Sequence, residues 1–121
     1  MSQTIPPWLE EKVKAYQKSQ INLENVQAQL QQLELDVQTT KNALETLEKT
    51  PDDKAIYKEA GSILVESDKA TMTEHLKEQQ ELSKTQIAVL TKHKEKIEKT
   101  IREQGASLNQ AIHGGAMKPG S

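Results

Sequence analysis

The sequence predicts a mainly α fold: a long antiparallel coiled-coil helical hairpin with one β-hairpin inserted at the helix–helix connection. Three observations carry this. The helix breakers Pro6, Pro7, Pro51, Gly61, Gly105, Gly114, Gly115, Pro119 and Gly120 leave two long arms almost uninterrupted. Both arms repeat apolar residues at coiled-coil spacing. Between them, Ile56-Tyr57-Lys58-Glu59-Ala60-Gly61-Ser62-Ile63-Leu64-Val65 places β-branched and apolar residues around a Gly-Ser pair, the pattern of two strands and a tight turn.

The first arm opens at Pro7, whose fixed φ suits a first helical turn. Leu23, Val26, Leu30, Leu33, Val37, Thr40, Leu44 and Leu47 then recur in strict 3,4 spacing, and Leu9, Val13 and Tyr16 extend the stripe toward the N-terminus with a small phase shift. Thr50-Pro51-Asp52-Asp53 ends this helix. After the strands, Ser67 or Asp68 can cap the second helix. Its stripe holds Leu76, Ile87, Leu90, Ile97, Ile101 and Leu108, with Gln80, Ser83, Lys94 and Gln104 at the intervening positions, so it is the weaker seam.

Each arm is about 40 residues, or roughly 60 Å at the α-helical rise. Equal arms joined by a short insert fold back antiparallel. Across such a seam facing residue numbers share a constant sum, and Leu44 with Leu76, Leu33 with Ile87, Leu30 with Leu90 and Leu23 with Ile97 all satisfy the same one. That register sets Thr40 against Gln80, Val37 against Ser83 and Val26 against Lys94, polar positions that specify register and loosen the seam locally. Glu10–Lys14, Glu45–Lys49, Glu95–Lys99 and Glu98–Arg102 have the favourable i,i+4 order, each worth a few tenths of a kcal/mol. Gly105, inside the second arm, costs about 1 kcal/mol relative to Ala and is expected to fray the last turns.

Composition restricts function. Of 121 residues only 34% are hydrophobic and 2% aromatic, with no Phe, too little to fill a compact core. Charged residues make up 28%, 16 basic against 18 acidic, for a net charge of -2, so a polyanion-binding surface is not indicated. The absence of Cys excludes disulfides and thiolate chemistry. No apolar run suffices for a membrane span, and the first residues lack a signal-peptide core. A cytoplasmic protein that binds neither membrane nor nucleic acid is the expectation.

The inserted strands imply partners. A lone two-stranded hairpin is marginal in water, and this one leaves both edges unpaired. With Gly61-Ser62 as the turn, Ile63 and Val65 point to one face and Leu64 to the other, so both faces are apolar. Either the hairpin folds down onto its own coiled coil, whose helix roots could cover one face, or, more economically for the other face and the edges, hairpins from other subunits cover it, which makes Ile56, Tyr57, Gly61, Ile63, Leu64 and Val65 the expected assembly residues.

Pro51-Asp52-Asp53, then Ile56-Tyr57-Lys58, Gly61 and Leu64-Val65, set between two coiled-coil arms, resemble the β subunits of the archaeal-type prefoldin family. The resemblance runs from Pro6 to about Ile112, and its single hairpin matches the β type. It implies one prefoldin-like domain over residues 1–113, comprising a first coiled-coil helix at 7–49, a β-hairpin at 55–66 and a second coiled-coil helix at 68–112. Residues 114–121 form a Gly-rich tail of disordered composition. It further implies an ATP-independent holding chaperone: a hexamer of two α and four β subunits whose hairpins merge into a platform, whose tips grip non-native proteins, and which delivers them to a group II chaperonin.

Catalysis finds no foothold. His75, His93 and His113 are isolated, Asp52-Asp53 reads as a turn, no nucleophile–base constellation can be assembled, and no cofactor or metal is implied. Lys92, His93, Lys94, Lys96, Lys99 and Arg102 are interleaved with Glu95, Glu98 and Glu103 and lack aromatics for base stacking, so they read as a solvated face. The candidate client-binding residues lie at the tips: Ile5, Trp8, Leu9 and Val13 opposite Leu108 and Ile112, with little chain beyond to cover them. The alternative function is a structural coiled-coil tether or adaptor binding one specific folded partner.

Overall fold

A computed structural model describes residues 5–113. The predicted tail at 114–121 lies outside them, as does the start of the chain before Ile5. Helix α1 (Pro7–Lys49), strands β1 (Ile56–Ala60) and β2 (Ile63–Ser67), and helix α2 (Lys69–His113) follow in that order. The fold is the mainly α coiled-coil helical hairpin with one β-hairpin at the connection. It divides into two compact units, one joining the chain up to Gln29 with the chain from Leu90 onward, the other comprising Leu30–Val89.

Both helices bury one narrow stripe. Leu9, Val26, Leu30 and Leu47 on α1 and Ile97 on α2 are buried, and Val13, Tyr16, Leu23, Leu33, Val37, Thr40 and Leu44 on α1 are half-buried. On α2 the half-buried positions include Leu76, Gln80, Ser83, Ile87, Leu90, Lys94, Ile101, Gln104 and Leu108. No side chain among the described residues is buried more deeply than Leu9, at 4% exposure. The polar seam residue Thr40 satisfies itself, because its hydroxyl donates to the Asp36 carbonyl one turn back at 2.7 Å.

Helix ends are where the chain commits to its turns. At the start of α1 the Pro6 carbonyl accepts from the amides of Leu9 and Glu10, both at 3.0 Å. At its end the Thr50 amide donates to the Leu47 carbonyl at 3.0 Å, and Pro51 cannot continue the helix. Lys69 completes this terminus from across the connection. Its ammonium donates to the Thr50 carbonyl at 2.9 Å and the Glu48 carbonyl at 3.3 Å, and it pairs with the Asp52 carboxylate at 3.4 Å. A cation at a helix C-terminus meets both the unpaired carbonyls and the negative end of the dipole. The neighbouring residue does the reverse job for α2. Asp68 Oδ1 accepts from the Thr71 amide at 2.8 Å and Oδ2 from the Thr71 hydroxyl at 2.9 Å, an N-cap, and Thr71 holds the Asp68 carboxyl below its ordinary pKa.

The two strands pair antiparallel, Ile56 with Ser67, Tyr57 with Glu66, Lys58 with Val65, Glu59 with Leu64 and Ala60 with Ile63. Gly61 has φ +64°, and no other described residue has a positive φ. Positive φ at the first central residue alone is the turn in which glycine is favoured and whose twist matches the strands. Of the four anticipated helical ion pairs, Glu10–Lys14 closes at 3.3 Å. The other three are not formed among the described residues, since exposed long side chains gain little by being held. Helix α2 runs unbroken through Gly105 to His113, so the glycine does not end it.

Two outcomes test this connection. Lys69→Met is expected to lower stability by about 1–2 kcal/mol, the usual weight of charge-assisted hydrogen bonds lost at a half-buried site, read from urea unfolding at 222 nm. Because its native pKa is lowered, the Asp68 cap contributes fully above the ordinary Asp value of about 3.9 and is lost as pH falls through the native value. Asp68→Asn should therefore flatten the acid limb of the stability profile below about pH 4 relative to the parent. An unchanged limb would show that the cap carries no linkage.

Candidate binding surfaces

The β-hairpin exposes what a stable sheet would bury. Leu64 is 68% exposed, and Tyr57, Ile63 and Val65 are also largely open, while Ile56 is half-buried at the base. The pairing sorts them by face. Ile56, Lys58, Ala60, Ile63, Val65 and Ser67 share one side, and Tyr57, Glu59, Leu64 and Glu66 share the other. Both outer edges of the two-stranded sheet are unpaired among the described residues.

In the other unit, the beginning of α1 and the end of α2 supply the second candidate surface. Ile5, Trp8 and Ile112 are exposed, Trp8 at 43%, and Val13 and Leu108 are half-buried. Leu9 differs from its neighbour Trp8 in being buried. Successive helical residues are about 100° apart, so when Leu9 points into the seam Trp8 is turned to its flank. Leu9 thus supports this surface rather than lying on it. Next to it, Lys12 Nζ donates to Ser107 Oγ at 2.7 Å, and a Cβ added at Gly105 would stand 3.4 Å from Tyr16 Cε1. Lys12, Ala15, Glu103, Gln104 and Ser107 line an open cleft of about 310 Å³. Gln104 Oε1 is buried there without a hydrogen-bond partner.

Several of these features escape sequence reasoning. The Tyr16–Gly105 approach has one signal, since the pair nearly satisfies the constant-sum register, but nothing in the sequence says that the glycine accommodates an aromatic ring. Ile21, Leu35, Leu82 and Val89 are exposed on outward helix flanks, and of these Leu82 and Val89, seven residues apart, share a stripe of α2. Of the residues considered for chemistry, Asp52 pairs with Lys69, and Lys94 lies half-buried in the seam.

Comparison with known proteins places these surfaces in a family. A family model described as prefoldin subunit matches residues 10–115. The prefoldin subunit beta of Methanothrix thermoacetophila is 31% identical over 98% of this chain and 98% of its own. That of Pyrobaculum neutrophilum is 33% identical, covering 90% of this chain and 83% of its own. The crystal structure of the prefoldin beta subunit from Thermococcus strain KS-1 superposes with a TM-score of 0.78 at 28% identity, over 93% of this chain and 98% of that one.

The buried amide and the helical glycine define a soft place in α2 that substitution should firm. Gln104→Leu removes an unsatisfied acceptor, and Gly105→Ala replaces a poor helix former where the new methyl meets Tyr16 at contact distance. Each is expected to stabilise by about 1 kcal/mol, with slower amide hydrogen exchange from residue 106 to 113. Faster exchange in the double variant would mean that the ring and methyl clash.

Proposed function

The chain belongs to the prefoldin subunit family, and from that membership, which makes it a chaperone subunit, we propose that it is a β-type subunit holding non-native proteins without ATP. In this reading residues 1–113 act as one prefoldin-like domain. Its hairpin joins those of α-type subunits and of further copies in a hexamer of two α and four β subunits. The exposed helix ends grip clients, and the assembly passes them to a group II chaperonin in the cytoplasm.

The observation that carries the reading is the hairpin, a pair of strands with large apolar side chains open on both faces and, among the described residues, both edges free. Such a surface is a cost to a monomer and an asset only in an assembly. Client holding rests on Ile5, Trp8 and Ile112, apolar groups at the start of α1 and the end of α2 that can dock on exposed hydrophobic segments without a defined shape. Recognition of one folded partner along the helix flank, at Leu82 and Val89, is the competing possibility.

Leu64→Asp with Val65→Lys is expected to keep helical content while abolishing complex formation with an α-type subunit, measured by light scattering. An undiminished complex would refute assembly through the strands. Trp8→Ser with Ile112→Ser should leave assembly intact yet impair suppression of aggregation of several unrelated denatured proteins. At roughly 25 cal/mol per Å² of apolar surface, losing two large side chains from each of several engaged tips weakens capture by a few kcal/mol. If protection persists across clients, capture occurs elsewhere; if Leu82→Ser with Val89→Ser abolishes saturable binding to one native protein instead, the tether reading holds.

A further inference from the structure

One flank of the arms concentrates ammonium groups that the fold does not use. Within the unit Leu30–Val89, an open cleft of about 760 Å³ runs beside the seam, lined by Lys41 of α1 and by Lys77 and Lys84 of α2, with the half-buried Val37, Leu44 and Gln80 between them. Helical spacing accounts for the convergence. Lys41 comes four residues after Val37 and three before Leu44, while Lys77 and Lys84 come three before and four after Gln80. Positions that flank a coiled-coil seam commonly carry opposite charges bridging the two helices. Here no such bridge forms: Lys84 meets Glu81 of its own helix at 4.0 Å, and Lys41 and Lys77 have no ion-pair partner among the described residues.

We propose that this cleft docks an extended acidic segment of another protein, its carboxylates at Lys41, Lys77 and Lys84 and its apolar side chains over Val37 and Leu44. Charge complementarity names the occupant, and the shape of the cleft gives its form. From Lys69 to Lys84 the lining residues span fifteen positions of α2, about 22 Å at the helical rise, which is the length of six or seven extended residues. Lys77 and Lys84 lie about 10 Å apart along the helix, the distance covered by about three residues of extended chain. The cleft also has a direction. At the end nearer the strands it is lined by Glu45 and Glu48, and the ammonium of Lys69 there is already taken by two carbonyls and Asp52. The acids of the segment therefore belong at the other end, over Gln80. A nucleic-acid strand fits worse, since its evenly spaced phosphates would pass Glu45 and Glu48, and no aromatic side chain lines the cleft to stack a base. Lysines suit a segment of varied sequence, because each is a point charge on a flexible stem and imposes no bidentate geometry. This docking is independent of assembly through the strands and of the exposed helix ends.

The test is fluorescence anisotropy of the full chain with a labelled peptide of about eight residues alternating glutamate and leucine. The same peptide with glutamine for glutamate, and a single-stranded oligonucleotide of similar length, serve as comparisons. The acidic peptide should bind best, and its affinity should fall as salt is raised. Lys41→Gln/Lys77→Gln/Lys84→Gln should weaken it by about tenfold or more. Lys92→Gln/Lys96→Gln/Lys99→Gln makes the same charge change at exposed positions farther along α2 and should leave binding within about twofold of the parent. Circular dichroism checks that both variants keep their helices, and the comparison of the two peptides on the parent does not depend on either variant. Equal binding of the acidic and glutamine peptides overturns the proposal, as does an equal loss in the two triple variants, which would reduce the effect to net charge. Tighter binding of the oligonucleotide would make the cleft a nucleic-acid site. Displacement of the peptide by an equal concentration of inorganic phosphate would make it a site for small anions, and either result overturns the peptide reading.

Discussion

The seam in each helix is one stripe wide, and that narrowness governs the rest of the molecule. A helix of this composition cannot bury apolar area on its own, so α1 and α2 are held by a series of small contacts, tightest at Leu9, at Val26, Leu30 and Ile97, and at Leu47. Between these points the stripe is filled by half-buried side chains, several of them polar. Such packing gives continuous but shallow support. The strands gain no cover from this seam, and their large apolar side chains stay open.

The polar seam positions show how the chain tolerates this. Thr40 returns its hydroxyl to its own helix, so it asks nothing of the residue opposite. Lys94 is long enough to lay its methylenes in the seam with its ammonium outward. Gln104 is the exception, its carbonyl oxygen buried without a donor close to Gly105, where the helix is already least favoured. Gln104 and Gly105 fall in the same unit as the exposed Trp8 and Ile112.

Much of the architecture was legible because it is encoded locally. The 3,4 spacing fixes which face of α1 and α2 turns inward, Pro51 stops one helix, and Gly61-Ser62 supplies the one backbone geometry that joins Ala60 to Ile63. What could not be read depends on residues far apart in the chain. Lys69 reaches the carbonyls of Glu48 and Thr50 only because the hairpin brings its two ends together, and Gly105 comes close to the ring of Tyr16, eighty-nine positions away, through the antiparallel return of α2. The apolar group at the start of α1 was visible as a group, but its division into a buried Leu9 and an open Trp8 follows from the phase of the helix, since Leu9 stands whole heptads from Tyr16, Leu23 and Leu30 and Trp8 stands one position off that stripe. Exposed ion pairs were the least legible, because their geometry is decided by entropy rather than by spacing.

Asp68 and Lys69 are adjacent in the chain yet bind opposite poles of two different helices, the start of α2 and the end of α1. Across the base of the connection Lys69 ties the start of α2 to the end of α1, while Asp68 caps α2 within its own first turn. Removed from the work of holding the arms, β1 and β2 are free to answer a different demand. The scaffold behaves like a socket: with Lys69 and Asp68 fixing the helix ends, strand sequences of different character could be set into it while the arms stay unchanged.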